Sequence, residues 1–147
     1  MRIGLTLAVL CSASCALAAD MPKSVVGLNA VGLQFAQQLI REGRIVFDQK
    51  GAWTRDQPSI AQKNEFLRLH GFGEYSKWHL GIDLRHSVRA KSQYKFPFGD
   101  FSALHRCGLL AVKARAHEYG YAEIESAAAE LLAMIESARP RGQKRVD

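Results

Sequence analysis

Residues 77–97 read KWHLGIDLRHSVRAKSQYKFP, and this segment determines the architecture that we expect for the chain. The large apolar side chains at positions 78, 80 and 82 alternate with smaller or polar residues, which is the period of a strand with one buried face. A second alternating run over 93–96 follows a polar loop at 84–92 and is stopped by Pro97. The two runs predict a β-hairpin whose aromatic face points into the core.

The segments before the hairpin predict a helix, a short strand and a second helix. Apolar residues recur at helical spacing over 28–42, and Gly43 follows as a stop signal. The run 44–48 is rich in β-branched and aromatic residues, which is typical of a strand. Ser59 opens a capping box, so the second helix is predicted over 59–71, where a glycine closes it.

Two further helices are predicted after the hairpin. Asp100 is a favourable N-cap residue for a helix over 101–119. Gly120 separates this helix from a last one over 121–138, whose apolar residues follow one stripe. Because a short connection makes neighbouring helices antiparallel, we expect these two helices to pack as an antiparallel pair.

Together the elements predict an α+β fold. A small antiparallel sheet, formed by the hairpin at about 77–97 and a short strand near 44–48, is covered by four helices. The chain has 147 residues, of which 48% are hydrophobic and 23% charged, and a domain of this length buries roughly 70% of its surface on folding. We expect one domain over 19–138, between a leader at 1–18 and a basic tail at 139–147.

The N-terminus has the layout of a secretory signal peptide. A cationic start, an apolar run over 3–11 and a series of small residues follow one another. Ala16 and Ala18 satisfy the small-x-small cleavage rule, so the predicted cut follows Ala18. The apolar stretch is shorter than a membrane span, and we expect a periplasmic or secreted protein with no stable span after leader removal. Translation from Met21 would instead give a cytoplasmic protein.

The cysteine and histidine patterns predict neither a metal site nor a cofactor. Leader removal takes two of the three cysteines and leaves Cys107, for which a buried, unreactive thiol is favoured over a reactive one. The histidines show none of the recognised metal-ligand spacings, and no glycine-rich phosphate motif is present. The formal net charge of +6 is a modest basic bias, part of it in the tail.

Polar residues on the hairpin and after it are the candidates for a ligand site: His79, Asp83, Lys95, Asp100, His105 and Arg115. On a helical wheel of 101–119, His105 and Arg115 point toward the apolar half, where an unpaired charge is costly. We expect Arg115 to pair with Asp83 or Asp100. Residues two apart on a helix face different directions, so His105 and Cys107 are not expected to form a thiol–imidazole pair.

These observations leave two main functional hypotheses. The leading one is a small, non-enzymatic binding or interaction protein whose partner is an anionic ligand or an envelope component. The alternative is an enzyme in which His79 or His105 transfers a proton and Asp83 or Asp100 orients it.

A third hypothesis is nucleic-acid binding by a cytoplasmic protein that starts at Met21. Cations on the hairpin and its loop are interleaved with Trp78, Tyr94 and Phe96, and aromatic rings flanked by cations bind single strands. The alternation places the same rings in the core, which leaves only a solvated basic loop. Nucleic acid is therefore not expected to be a partner of a secreted protein.

Three short segments resemble a family of small bacterial proteins for which no activity is known. The segments are WHLGID at 78–83, YKFPFGDF at 94–101 and HRC at 105–107. The resemblance extends from about Leu28 to Ile135 and implies no activity, cofactor or partner. Members of that family start near the position of Met21, without a leader.

Overall fold

The computed structural model describes residues 25–140 and Gly142, and it has the α+β architecture that the sequence predicts. The predicted leader at 1–18, the alternative start at Met21 and most of the tail at 139–147 lie outside these residues. Within the described part of the chain, no helix is both long enough and apolar enough to cross a membrane.

The described chain contains short strands and longer helices in alternation. In order they are β1 (Val26–Leu28), α1 (Ala30–Arg41), β2 (Ile45–Val46), α2 (Trp53–Asp56), α3 (Ile60–Ser76), β3 (His79–Asp83), a 3₁₀ turn (Lys91–Gln93), β4 (Tyr94–Pro97), β5 (Leu104–His105), α4 (Arg106–Tyr119) and α5 (Ala122–Ala138).

The predicted hairpin forms the centre of the main sheet. β3 pairs antiparallel with β4, with Gly81 opposite Lys95, and antiparallel with β1, with Gly27 opposite Ile82. The third strand of this sheet is therefore β1, which we did not predict, and not the segment near 44–48. That segment shortens to β2, which pairs in parallel with β5 in a separate two-stranded sheet.

The central strand β3 is buried on both faces, whereas the alternation predicted one solvated face. Trp78 and Leu80 belong to the core as expected, but His79 and Asp83 are buried too. The reason is that α1 and α5 contact β3, while the ring of Tyr75 at the end of α3 stacks on His79. Alternation in the sequence does not reveal this second covering layer.

Helix α3 begins as predicted, and its first segment ends at Gly71, as predicted. Ser59 and Gln62 form the predicted capping box. Gly71 has a non-helical backbone with a left-handed φ of 74°, which interrupts the helix, and a further helical turn that was not predicted continues to Ser76. In that turn Phe72 stacks on Tyr94, so contact with the hairpin stabilises a segment that its glycines disfavour.

Helix α4 begins at Arg106, so the predicted start at 101 with Asp100 as N-cap is wrong. The Asp100 carboxylate instead accepts hydrogen bonds from the backbone amides of Ser102 and Ala103, and this local turn competes with helix formation. The chain then extends as β5 to pair with β2 before the helix begins.

The two last helices pack against each other, as predicted, across the turn at Gly120. Gly120 has a φ of 74°, a left-handed conformation that glycine adopts without steric cost. The pair covers the sheet and supplies much of the core: Leu109, Val112, Ala116, Ile124, Ala128, Leu131 and Ile135.

Candidate functional site

A groove of about 710 Å³ lies over one face of α4. Its floor is made by apolar or small side chains of that helix, chiefly Leu110, Ala111 and Ala114. Trp53 of α2 lies on one side, and Phe96 of β4 lies on the other. A cleft of this volume with an apolar floor is large enough for a small organic molecule.

Cationic side chains surround this groove. Lys50 lies before α2, Lys95 on β4 and Arg115 on α4, and all of them line the groove. Within residues 25–140, Lys50 and Lys95 form no ion pair. Their charge is therefore available to an anion. Lys95 occupies a position that the sequence singled out.

Asp83, a predicted ligand residue, lies at the groove but is neutralised by its neighbour. Nε and Nη2 of Arg85 donate to the two carboxylate oxygens of Asp83 at 2.9 and 2.8 Å. This bidentate contact holds the pKa of Asp83 well below its ordinary value. Because the carboxylate stays ionised and paired, Asp83 is a structural anchor for Arg85 and is unsuited to proton transfer at neutral pH.

The expected position of Arg115 is wrong. Its side chain is 62% exposed, and it pairs loosely with Glu118 at 3.7 Å instead of with Asp83 or Asp100. The apolar half of the helical wheel corresponds in part to the open groove and not to the core. Arg115 therefore contacts solvent at the groove, where an unpaired charge costs little.

His79, the first catalytic candidate, is a core residue. Its Nδ1 donates to the backbone carbonyl of Tyr75 at 2.9 Å. Burial lowers the pKa of His79 to about 4, against an opposing effect of that hydrogen bond. The side chain is 2% exposed, and it has no hydrogen bond with Asp83 in the described structure. The predicted His79–Asp83 pair is therefore not formed.

The second catalytic candidate, His105, belongs to a polar cluster beside the groove that is centred on Asp48. Oδ2 of Asp48 lies 2.7 Å from Nδ1 of His105 and accepts from Sγ of Cys107 at 2.7 Å. Oδ1 accepts from the backbone amide of Cys107 at 2.6 Å. Asp48 therefore caps the N-terminus of α4 from a distant segment, where a negative charge is favourable.

A second carboxylate approaches the other face of the His105 ring. Nε2 lies 3.2 Å from Oδ2 of Asp100, close but poorly aligned for a hydrogen bond. Burial opposes the charged imidazolium, but the contacts with Asp48 and Asp100 outweigh it and raise the pKa of His105. The pKa of Asp100 is lowered to about 2; burial opposes this shift, and hydrogen bonds from Ala103 and Ser102 cause it.

Cys107 also lies at the groove and is buried, as the sequence predicted. The pKa of the thiol is raised far above its ordinary value, mainly by burial and next by the hydrogen bond to Asp48. In this state the thiol is a hydrogen-bond donor and a poor nucleophile.

Asp56, at the end of α2, completes the cluster. One ligand atom from each of Asp48, Asp56, His105 and Cys107 lies within 4.8 Å of all the others. We refer to these residues as the Asp48 cluster. Asp56 also accepts a hydrogen bond from Nε of Arg55 at 2.7 Å, which lowers its pKa.

The sequence identified part of this site and missed the rest. It named His105 and Asp100, which the structure brings together. It gave no sign of Asp48 or Asp56, because their proximity to α4 depends on the β2–β5 pairing. It also separated His105 from Cys107 on helical geometry, whereas His105 precedes the helix and both side chains reach Asp48. The enzymatic hypothesis with His105 stays a prediction.

The basic hairpin that suggested nucleic-acid binding has no exposed aromatic face. Trp78 is buried, and Tyr94 and Phe96 are half-buried. Within the described loop, Arg85 is held by Asp83, and Lys91 donates to Asn64. Stacking on Trp78 would require the core to open, and Tyr94 and Phe96 offer only part of each ring, so the geometry gives this hypothesis little support.

Comparisons with protein-family profiles, curated proteins and solved structures gave no match. The function is therefore inferred from the geometry and chemistry of the groove and of the Asp48 cluster.

Proposed function

We propose that the protein binds a small organic anion in the groove over α4. The observation that carries this proposal is the pairing of an apolar floor with two cations, Lys50 and Lys95, that form no ion pair within residues 25–140, in a cleft of about 710 Å³. An apolar floor favours burial of a hydrophobic body. The cations favour a carboxylate, sulfonate or phosphate at one end of the same molecule.

The distribution of charge along α4 supports this assignment. Arg115 faces the groove, whereas Lys113 is an exposed cation of the same helix that does not line it. Among the described residues that line the groove, the one carboxylate is Asp83, which Arg85 already neutralises. A bound anion would therefore meet no unpaired negative charge from the side chains that line the groove.

An anionic dye with an aromatic body tests the proposal. Anilinonaphthalene sulfonate should bind the folded protein with enhanced fluorescence and more tightly than its uncharged analogue N-phenylnaphthylamine. Lys95→Ala and Arg115→Ala should each weaken sulfonate binding roughly fivefold, as expected for loss of an exposed ion pair of about 1 kcal/mol. Neither change should affect binding of the neutral analogue to the same extent.

The matched control is Lys113→Ala, which removes an equal charge from α4 outside the groove. Near-ultraviolet circular dichroism must show that each variant keeps its native packing, because partly folded chains that retain their far-ultraviolet signal also bind this dye. Equal loss of affinity in the Lys113 variant, or equal affinity for the charged and neutral dyes, would overturn the proposal.

We further propose that this binding takes place outside the cytoplasm. The support is the cationic, apolar and small-residue succession of 1–18. An organic anion or an anionic envelope component is then the available class of partner.

A further inference from the structure

The geometry points to a zinc site formed by the Asp48 cluster: Asp48, Asp56, His105 and Cys107. This site is distinct from the anion groove, although Cys107 borders both. A Zn²⁺ ion held there would join the segment around α2 to the N-terminus of α4, so we assign it a structural role.

The first support is the spacing of the donor atoms. All of the ligand atoms lie within 4.8 Å of one another, and the shortest pairs, Nδ1–Oδ2 and Sγ–Oδ2, are 2.7 Å long. Tetrahedral zinc with bonds of about 2.0–2.3 Å places its ligands roughly 3.4 Å apart. The short pairs would open and the longer ones close by movements of the side chains.

The second support is Asp100, which lies outside the cluster but contacts the free side of its histidine. With Nδ1 on the metal, Nε2–H would face Oδ2 of Asp100, now 3.2 Å away but poorly aligned, and a rotation of the ring would complete the hydrogen bond. Asp100 is itself held by the amides of Ser102 and Ala103. A carboxylate that orients a metal-binding histidine is a regular feature of zinc sites.

The chemistry of the donors favours zinc over harder cations. A set of one thiolate, one imidazole and two carboxylates suits borderline-soft Zn²⁺, whereas Ca²⁺ and Mg²⁺ prefer oxygen ligands alone. Binding would release the protons now carried by Sγ and Nδ1 to solvent. The zinc ion would also replace Arg55 as the partner of Asp56. The side chain of Arg55 is 80% exposed.

Cobalt substitution of the full chain tests the site with a visible probe. Co²⁺ should bind one equivalent and give the intense visible bands of a tetrahedral complex together with a thiolate-to-cobalt charge-transfer band. One equivalent of Zn²⁺ should abolish both. Asp56→Asn should weaken Zn²⁺ binding at least roughly tenfold, and Asp100→Asn roughly tenfold to a hundredfold, as for other contacts that orient a ligand.

Several variants serve as matched controls. Cys107→Ser should remove the charge-transfer band, whereas the Cys11→Ser, Cys15→Ser double variant should keep it. Glu65→Gln breaks a carboxylate–arginine pair with Arg68 like that of Asp56 with Arg55, but lies outside the cluster and should bind zinc normally.

The proposal fails if the wild-type chain binds no Co²⁺ or Zn²⁺ at micromolar concentration, or binds cobalt only with weak octahedral bands. It fails equally if the charge-transfer band survives in the Cys107 variant. Should that variant unfold, Asp56→Asn decides, because the Asp56 side chain is partly exposed and, in the described structure, bonds only to neighbouring Arg55. Unchanged zinc affinity in folded Asp56→Asn would overturn the site.

Discussion

Among individual residues, His79 links burial to acid sensitivity. Its pKa in the folded protein is about 4, against 6.5 for an unperturbed histidine, so the unfolded chain binds the proton more readily. Folding stability should therefore decrease as the pH falls from about 6.5 to 4, by up to about 3 kcal/mol from this residue. Urea unfolding of the wild-type protein at pH 7 and pH 4.5 measures the decrease.

His79→Asn provides the comparison, since the amide can still donate to the carbonyl of Tyr75 but does not titrate. The variant should be less stable at pH 7, with a smaller decrease in stability on acidification. Parallel pH profiles for the two proteins would show that the acid sensitivity arises at other groups.

Residue roles that depend on local contacts could be predicted from the sequence, whereas roles that depend on tertiary contacts could not. Ser59 was recognised as a cap because a capping box is local in the chain. Asp48 was not recognised because its partners are His105 and Cys107, more than fifty positions away. Periodicity and motif spacing report local geometry, whereas this site is assembled by tertiary contacts.

At the level of secondary-structure elements, the contact between α1 and β3 depends on Gly32. A Cβ at this position would lie 2.0 Å from the backbone oxygen of His79, and Asn29 donates to the same oxygen at 2.8 Å. Gly32→Ala would force the helix away from the strand. We expect it to lower the free energy of unfolding by about 3 kcal/mol, at the upper end for overpacking.

Gly73→Ala is the matched helical control. A Cβ there meets nothing within 4 Å, so replacing glycine should raise stability by roughly 0.5–1 kcal/mol. Denaturant unfolding of both variants distinguishes close packing from helix propensity. Similar stability changes of the same sign in the two variants would contradict the packing argument.

Element boundaries were predictable where the deciding signal is local. Gly43 and Gly120 end α1 and α4, and both have the left-handed φ that such stops require. The strands β1 and β5 were missed because each is short and is stabilised by tertiary contacts, namely its pairing partner and the helices packed against it. The start of α4 was misplaced for the same reason, since β5 occupies part of the predicted helix.

For the whole molecule, the position of the mature N-terminus decides which ligands the groove can meet. β1 begins at Val26, so both candidate starts, Ala19 and Met21, leave the described fold complete. The intact mass of the protein from its native host distinguishes them. Ala16 and Ala18 satisfy the cleavage rule, and we expect a product that begins at Ala19 and is recovered from the periplasm or the medium.

Changing the cleavage site provides the matching control. Ala18→Arg should block processing and leave the leader attached in the cell-associated fraction, because a bulky cation violates the small-residue requirement. Ala30→Ser, a small change beyond the leader at the start of α1, should be processed normally. A cytoplasmic product that begins at Met21 would contradict secretion, and would direct the search for the anion toward cytoplasmic metabolites while leaving the groove and the zinc site as proposed.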